Sequence, residues 1–484
     1  MGFSRRLFRK RFYNPLPRPT LEGRVQGLEH EYAIEFPEIE SEDERDRYIS
    51  GKISQIRTLS APSGEESINL TWSFWRNLEN GGVFYIDMGH LEGSTPECLD
   101  TRELIKQDRA MDLLALKVFG DEYTSLIYKM NRDSKVSFGA HQSFSIKFQP
   151  SEETLEPLLL WAVVEKIITG AGYQYPDGQY EVSQRRSFMQ QAFSSDAREV
   201  GKGRGLLNTR EETLTGLHGW HRFHNISNDA NMCQSALAMK QELMRCVLAL
   251  YEAKLLPKIS YYTDINCDLA VKDLDHICCK HEDWTLEGTP ADFRKVTSVL
   301  RTYEQVMRSE LYGQDSFRNC VLDIFRDTIV KLERIKEEPY ALAGRLDWVT
   351  KKYLIEKILG SDGLGFDNPL IQSITLDYHR IDPNGLFYQT LQDGWIEQLV
   401  SQKEAEDAMN TPPKTRAETR GRIVQKYGDG IFKDGSMLWL YWDTVLVTDK
   451  NDKAIWRRNL DDHRVPNNKI INELEDFLRF HNLV

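Results

Sequence analysis

Carboxylates gather in two short stretches of this chain. The first is "GLEHEYAIEF", residues 27–36, and the second is "NGGVFYIDMGHLEGSTPEC", residues 80–98. In a strand, successive side chains point to opposite faces. Leu28, His30, Tyr32, Ile34 and Phe36 then share one face, and Glu29, Glu31, Ala33 and Glu35 share the other. Acids at that spacing stand about 7 Å apart along the strand. They repel one another unless a cation or solvent separates them. Two readings stay open on this stretch alone: an edge strand with a wet face, or one wall of a site for a hard divalent ion, which takes oxygen ligands. In the second stretch Val83, Tyr85 and Asp87 share a face, and a Gly-bearing turn carrying His90 and Glu92 follows. Asp87 is expected at a strand end, where loops place chemistry; a turn or capping aspartate is the alternative. In "VSFGAHQSFSIKF" His141 falls on the polar face with Ser143 and Ser145, either as a site residue or as a surface imidazole. "LLNTREETL" offers Arg210 beside two acids, and "WHRFHNISNDANM" offers His221, Arg222 and His224.

The elements that must position these residues mix strands and helices without regular βαβ alternation, which points to α+β. "NMCQSALAMKQELMRCVLALYEAKLL" and "PADFRKVTSVLRTYEQVMRSELY" have helical spacing. At 484 residues the chain is too long for one ordinary core. A basic flexible arm is expected over 1–20, a large catalytic domain over 21–411, and a small C-terminal α/β domain over 412–484, after the break at Pro412 and Pro413. A net charge of −12 argues against general nucleic-acid binding. The longest apolar run, from Leu155, is interrupted by Glu165 and Lys166, so no membrane span is expected. Seven scattered cysteines suggest free thiols in a reducing cytoplasm. "HICCKH" lacks the paired spacing of a zinc site. There is no GxxxxGK[ST] loop, and "GKGRG" reads as a turn.

Taken together, these segments resemble the Pup ligase and Pup deamidase (depupylase) family, within the glutamine synthetase-like carboxylate–amine ligases. That family opens on a G-I/T-E-x-E-F/Y-G strand, for which this chain has "GLEHEYA". Its N-G-A-R-x-Y-x-D strand and H-P-E-Y turn correspond to "NGGVFYIDMGHLEGSTPEC". Its Y-G-x-H-E-N-Y strand corresponds to "FGAHQSF", and its I-N-T-R-D-E-P-H-A-D block to "LLNTREETLTG". "RLDWVTKKYLIE", "LDYHRIDPNGLFYQTL", "PPKTRAETRGR" and "WDTVLV" extend the resemblance to the C-terminal part. It implies a glutamine synthetase-like large domain whose curved, mainly antiparallel sheet forms a cradle packed by helices. Glu29, Tyr85 and Glu92 then match Mg²⁺-binding positions, with Glu31 in the same cradle. Asp87 matches the catalytic aspartate. Thr95 and Trp442 match nucleotide contacts, Arg210 (as an ATP-binding residue) and His224 match polar positions of the phosphate side, and His141 is a further polar residue of the site.

The implied chemistry uses ATP and Mg²⁺ to activate the C-terminal Glu side chain of a Pup-like modifier and join it to lysines of target proteins. A lysine amine with a reference pKa of about 10.4 needs a base, and Asp87 is the candidate. The family's arginine of N-G-A-R is Val83 here, and removing a cation beside a polyphosphate costs on the order of a few kcal/mol unless it is replaced. His30 and His90 are the polar residues nearby. The glutamate of H-E-N-Y is Gln142, the histidine of E-P-H-A-D is Leu214, and the tyrosine after the turn glutamate is Gly93. The alternatives to a ligase are a deamidase or depupylase using nucleotide as a cofactor, and a non-catalytic relative that binds the modifier. The short connection between the first two strands, "YHRI" and "DANM" favour the ligase, whereas the spacing of "DMGHLE" is that of the deamidases.

Overall fold

The computed structural model describes residues 19–35, 41–56, 75–87, 89–120, 126–132, 136–195, 203–212, 214–259, 267–279, 284–428 and 430–484. Most of the basic arm, Phe36 and His281 lie outside the described residues. In chain order the first strands are β1 (Gln26–Glu35), β2 (Arg76–Asn77), β3 (Val83–Asp87), β4 (His90–Ser94), β5 (Leu126–Tyr128) and β6 (Ala140–Ile146). Then come β7 (Tyr173–Gln174), β8 (Tyr180–Glu181), β9 (Met189–Ser194), β10 (Arg204–Asn208) and β11 (His221–Asn225). The C-terminal strands are β12 (Met437–Leu440), β13 (Thr444–Thr448) and β14 (Ala454–Asn459). Seven strands form the main sheet in the order β11-β6-β1-β4-β3-β2, with β5 also paired to β1. All its pairings are antiparallel, as the α+β reading requires.

Burial alternates along β1 as the sequence pattern demands. Leu28, His30 and Tyr32 are buried, while Glu29 and Glu31 are only partly covered. The buried face packs on the helix Thr101–Phe119, whose N-cap Asp100 accepts from the Glu103 amide. That capping satisfies an otherwise orphan N–H at the helix start. His30 faces this helix, and its Nε2 lies 2.7 Å from Asp108. His30 therefore cannot serve the opposite face. A second core runs beneath the other end of the sheet, around the almost wholly buried helix Gln234–Glu252.

One local expectation differs. Glu92 lies on a strand rather than in a turn, because Gly89 (φ +83°) closes a tight hairpin in which Asp87 faces His90. Only glycine adopts that backbone region readily. "GKGRG" also departs: its last two residues open β10, which pairs in parallel with β9. Cys278 and Cys279 sit on the helix Cys267–Cys279 with no metal-binding group around them among the described residues. No helix is long and apolar enough to cross a membrane among those residues.

After Pro413 a separate hydrophobic cluster forms from Ile423 to Leu483. It joins the antiparallel sheet β12-β13-β14 to the helices Arg416–Tyr427 and Asn468–Phe480. This unit is tied to the main sheet through Glu97, which pairs with both Arg416 and Arg420.

Candidate active site

Strand register assembles the site. Glu29 stands opposite His141 on β6 and Ser94 on β4; Glu31 stands opposite Glu92, and Glu92 in turn opposite Tyr85 on β3. On the far side β11 places His224 opposite Ser143. The outcome is two groups of donors on one sheet face. Glu31, Asp87 and Glu92 form one, and Glu29, His141 and His224 the other; within each, ligand atoms lie within 4.8 Å of one another.

The two groups have different electrostatics. Burial would push the Glu29 carboxyl up, but Arg222, His141 and His224 hold it well below the usual carboxylate range. Arg222 Nη2 donates to Glu29 Oε1 at 2.6 Å, His141 Nδ1 lies 3.2 Å from Oε2, and His224 Nε2 lies 3.4 Å from it. Burial, with Arg222 nearby, pushes the His224 imidazole down to about 3, so it is neutral and has a lone pair to offer. Glu92 shows the opposite behaviour. Burial first, then the charges of Glu29, Glu31 and Asp87, push its carboxyl well above the normal range. Burial and Glu92 likewise raise the Tyr85 hydroxyl. A buried carboxylate among three others is costly unless a cation joins them. The oxygen-only donor set of Glu31, Asp87 and Glu92 fits a hard divalent ion such as Mg²⁺, and Glu29 with the imidazoles of His141 and His224 fits a second cation.

The wall continues into a cleft of about 640 Å³ lined by Glu29, Thr95, Leu214, Arg222, Trp442 and His463, among others. Thr95 is held by β1: its Oγ1 accepts from the Leu28 amide at 2.9 Å. Trp442 lies edge-on to Trp75 and carries the Arg420 guanidinium 4.6 Å above its ring. Arg210 does not line this cleft. It follows β10 at the surface and pairs with Glu212.

The sequence departures now have physical readings. Val83 is fully buried and packs on Trp75, which stacks between Tyr85 and Tyr441. Neither His30 nor His90 replaces the missing arginine, since His90 stacks on Phe138 at 4.7 Å. Gln142 lies on the far face, accepting from Asn225 and Asn228 and donating to the Lys240 carbonyl, so it does not touch the acidic wall. Gly93 leaves no room for a side chain, because a Cβ there would meet Phe84 and Tyr32.

Sequence reasoning overlooked Arg185 and Arg204. Arg185 is fully buried; its Nε donates to Ser137 Oγ at 3.0 Å, and neither Nη has a partner among the described residues. Arg204 donates to the Ser137 carbonyl at 2.6 Å, and Glu31 acts on both guanidiniums. Neither residue sits in a periodic pattern, so no local signal marked them.

Comparison with known proteins gives a consistent answer. A family model described as Pup-ligase protein matches residues 24–445. The chain is 28% identical over 455 residues to the Pup–protein ligase of Pseudarthrobacter chlorophenolicus, covering 87% of this chain and 93% of that one. It is 29% identical over 390 residues to a depupylase of Acidothermus cellulolyticus, covering 76% and 74%. Among solved structures, the complex between the prokaryotic ubiquitin-like protein Pup and its ligase PafA superposes with a TM-score of 0.78 at 23% identity, covering 96% of this chain and 94% of that one. PafA in complex with ADP superposes with a TM-score of 0.71, covering 84% and 90%. The match over nearly the whole catalytic region, on a sheet that carries these two donor groups, means that the chain belongs to the Pup-ligase family.

Proposed function

We propose that this protein is an ATP-dependent isopeptide ligase that activates the C-terminal Glu side chain of a Pup-like modifier and joins it to lysines of target proteins in the cytoplasm. The observation that carries the reading is the pair of donor groups on one sheet face, continuous with the cleft that holds Thr95 and Trp442. Relatives described as Pup–protein ligases, and a fold neighbour solved with ADP, support it.

In this reading the nucleotide lies in the cleft, with Thr95 and Trp442 at its nucleoside end and its phosphates towards Glu29. Glu31 and Glu92, with Tyr85 beside them, would hold one Mg²⁺, leaving Asp87 at the edge of the group as base, and Glu29, His141 and His224 would hold a second. When bound, these ions neutralise phosphate charge and polarise the oxygens undergoing transfer. The modifier carboxylate attacks the terminal phosphorus, forming an acyl phosphate and releasing ADP. The lysine amine then attacks the acyl carbon, phosphate leaves, and Asp87 takes the proton that the amine loses. Arg185, with both Nη groups unpartnered among the described residues and Glu31 acting on its charge, is suited to charge developing on the transferred group. Arg222 orients Glu29 from the side of β11.

The tight β3–β4 hairpin has the spacing of the deamidase branch and keeps hydrolysis as the second reading. Intact-mass spectrometry separates the two. The protein is incubated with Mg-ATP, a lysine-bearing acceptor and a Pup-type peptide ending in Glu or in Gln. Joining of the Glu peptide to the acceptor with loss of one water establishes the ligase. A one-dalton gain on the Gln peptide alone establishes the deamidase and rejects the ligase.

A further inference from the structure

The wall of the cleft opposite β1 is built partly by a segment beyond the family match, which ends at residue 445. His463 belongs to that segment and lines the same cleft as Thr95, Trp442 and Leu214. Its side chain is only 4% exposed, and its ring meets Trp220 edge-on at 5.4 Å. The hydrogen bonds around it determine which nitrogen carries the proton. The Thr215 hydroxyl donates its one hydrogen to the Asp461 carbonyl at 2.8 Å. The contact of 2.9 Å between Thr215 Oγ1 and His463 Nδ1 must then run the other way, with Nδ1–H donating. Burial, with Arg416 beside it, pushes the imidazole down to about 4, so at neutral pH no second proton is bound. Nε2 is left as a buried lone pair with no partner among the described residues. Buried acceptors of this kind are normally satisfied. The side chain of Leu214, a residue adjacent to Thr215 that also lines the cleft, supplies no polar atom.

We propose that His463 is a nucleotide-binding residue of this protein, its Nε2 accepting a hydrogen bond from a hydroxyl or amino group of the nucleoside. The assignment rests on the nucleotide reading of the cleft given above. A neutral imidazole presenting only a lone pair repels phosphate oxygens and selects a donor. That places His463 at the sugar or base rather than at the polyphosphate. The C-terminal unit thereby contributes to nucleotide selection through His463, held by Thr215, as well as through Trp442.

The test measures dissociation constants by calorimetry for ATP, 2′-deoxyATP, 3′-deoxyATP and purine riboside triphosphate, in the presence of Mg²⁺. The proteins are wild type, His463→Asn and His463→Gln. An Asn amide can keep the hydrogen bond to Thr215 while removing the atom at Nε2; a Gln amide reaches the Nε2 position. The wild type is expected to bind one of the three analogues roughly three- to tenfold more weakly than ATP, the loss of one neutral hydrogen bond. His463→Asn should bind ATP more weakly by the same factor and no longer distinguish that analogue, while melting at the wild-type temperature. His463→Gln should recover part of the discrimination. Wild-type affinity and discrimination in His463→Asn would overturn the proposal. So would a proportional loss for all four nucleotides with discrimination retained, which would make His463 a prop for the Thr215 turn. Failure of the wild type to bind any nucleotide would remove the nucleotide reading itself and this inference with it.

Discussion

On the helix side of β1, Asp108 and Asp112 come up from the helix Thr101–Phe119 and meet Lys129, which lies 2.6 Å from the first and 3.4 Å from the second. His30 and Tyr32 complete that network, at 2.7 and 2.9 Å. On the other side, Glu31, Asp87 and Glu92 come within ligand distance of one another. Burial would raise Asp108, but Lys129 and His30 hold it low; burial and the charges of Glu29, Glu31 and Asp87 drive Glu92 well up. The same strand thus separates acids that hold the fold together from a wall in which a buried carboxylate faces other carboxylates. An incompletely compensated buried carboxylate persists where function uses it.

Four changes test this contrast, and the first has the largest effect. Asp87→Asn should lower ligation roughly a hundred- to ten-thousand-fold, the range of a lost general base, without shifting the melting temperature. Retained activity, followed as acceptor-lysine conjugate, would remove Asp87 from the mechanism. On the helix side, Lys129→Met should cost about 3–5 kcal/mol in urea unfolding, because it leaves Asp108 buried with His30 as its one side-chain partner among the described residues. A cost comparable to that of a surface substitution would show that the network is not what stabilises the sheet.

Glu92→Gln should stabilise the protein in the absence of Mg²⁺. A folded-state carboxyl pKa above the unfolded value of 4.5 means that the native state binds the extra proton, so this group's contribution falls as pH rises from about 4.5 through its folded value. The stabilising effect of the substitution should therefore grow with pH over that window. The rise in melting temperature on adding Mg²⁺ should shrink in the variant. Glu29, held low, contributes in the opposite sense: its stabilisation is present above 4.5 and is lost as pH falls through its depressed value. An unchanged Mg²⁺ response in Glu92→Gln would separate Glu92 from the ion. The smallest effect is expected for Arg210→Ala, within about 0.5 kcal/mol in stability, since its side chain is exposed and, among the described residues, pairs only with Glu212. Ligation should change less than about threefold, in line with a surface position; a larger loss would return Arg210 to the phosphate side.

Much of the acidic wall was legible in the sequence, because period-two alternation is a property of the chain itself and Glu29, Glu31, Tyr85 and Asp87 obey it. Glu92 was assigned to a turn because the glycine at 89 can end a strand or sharpen a hairpin, and only tertiary pairing chooses. Arg185 was not legible: a buried arginine in an irregular segment has no periodicity to betray it, and its role depends on Ser137 and Glu31, far away in sequence. His463 escaped notice for the same reason, being tied to Thr215 across a separation of 248 residues. Arg210 shows the converse, a residue conspicuous in its motif whose side chain points to solvent and Glu212. Gln142 and Gly93 looked like losses from a site, but each is accounted for by packing away from the wall.

The most direct test of the central claim is the ratio of ADP released to isopeptide formed, with a Glu-ended Pup-type peptide, a lysine acceptor and Mg-ATP. The account predicts one ADP per bond, no product without Mg²⁺, and with Asp87→Asn no product and at most the single ADP per enzyme that forming the acyl phosphate releases. Isopeptide formed without ADP, or ADP released at the same rate with Asp87→Asn as with the wild type, would contradict it.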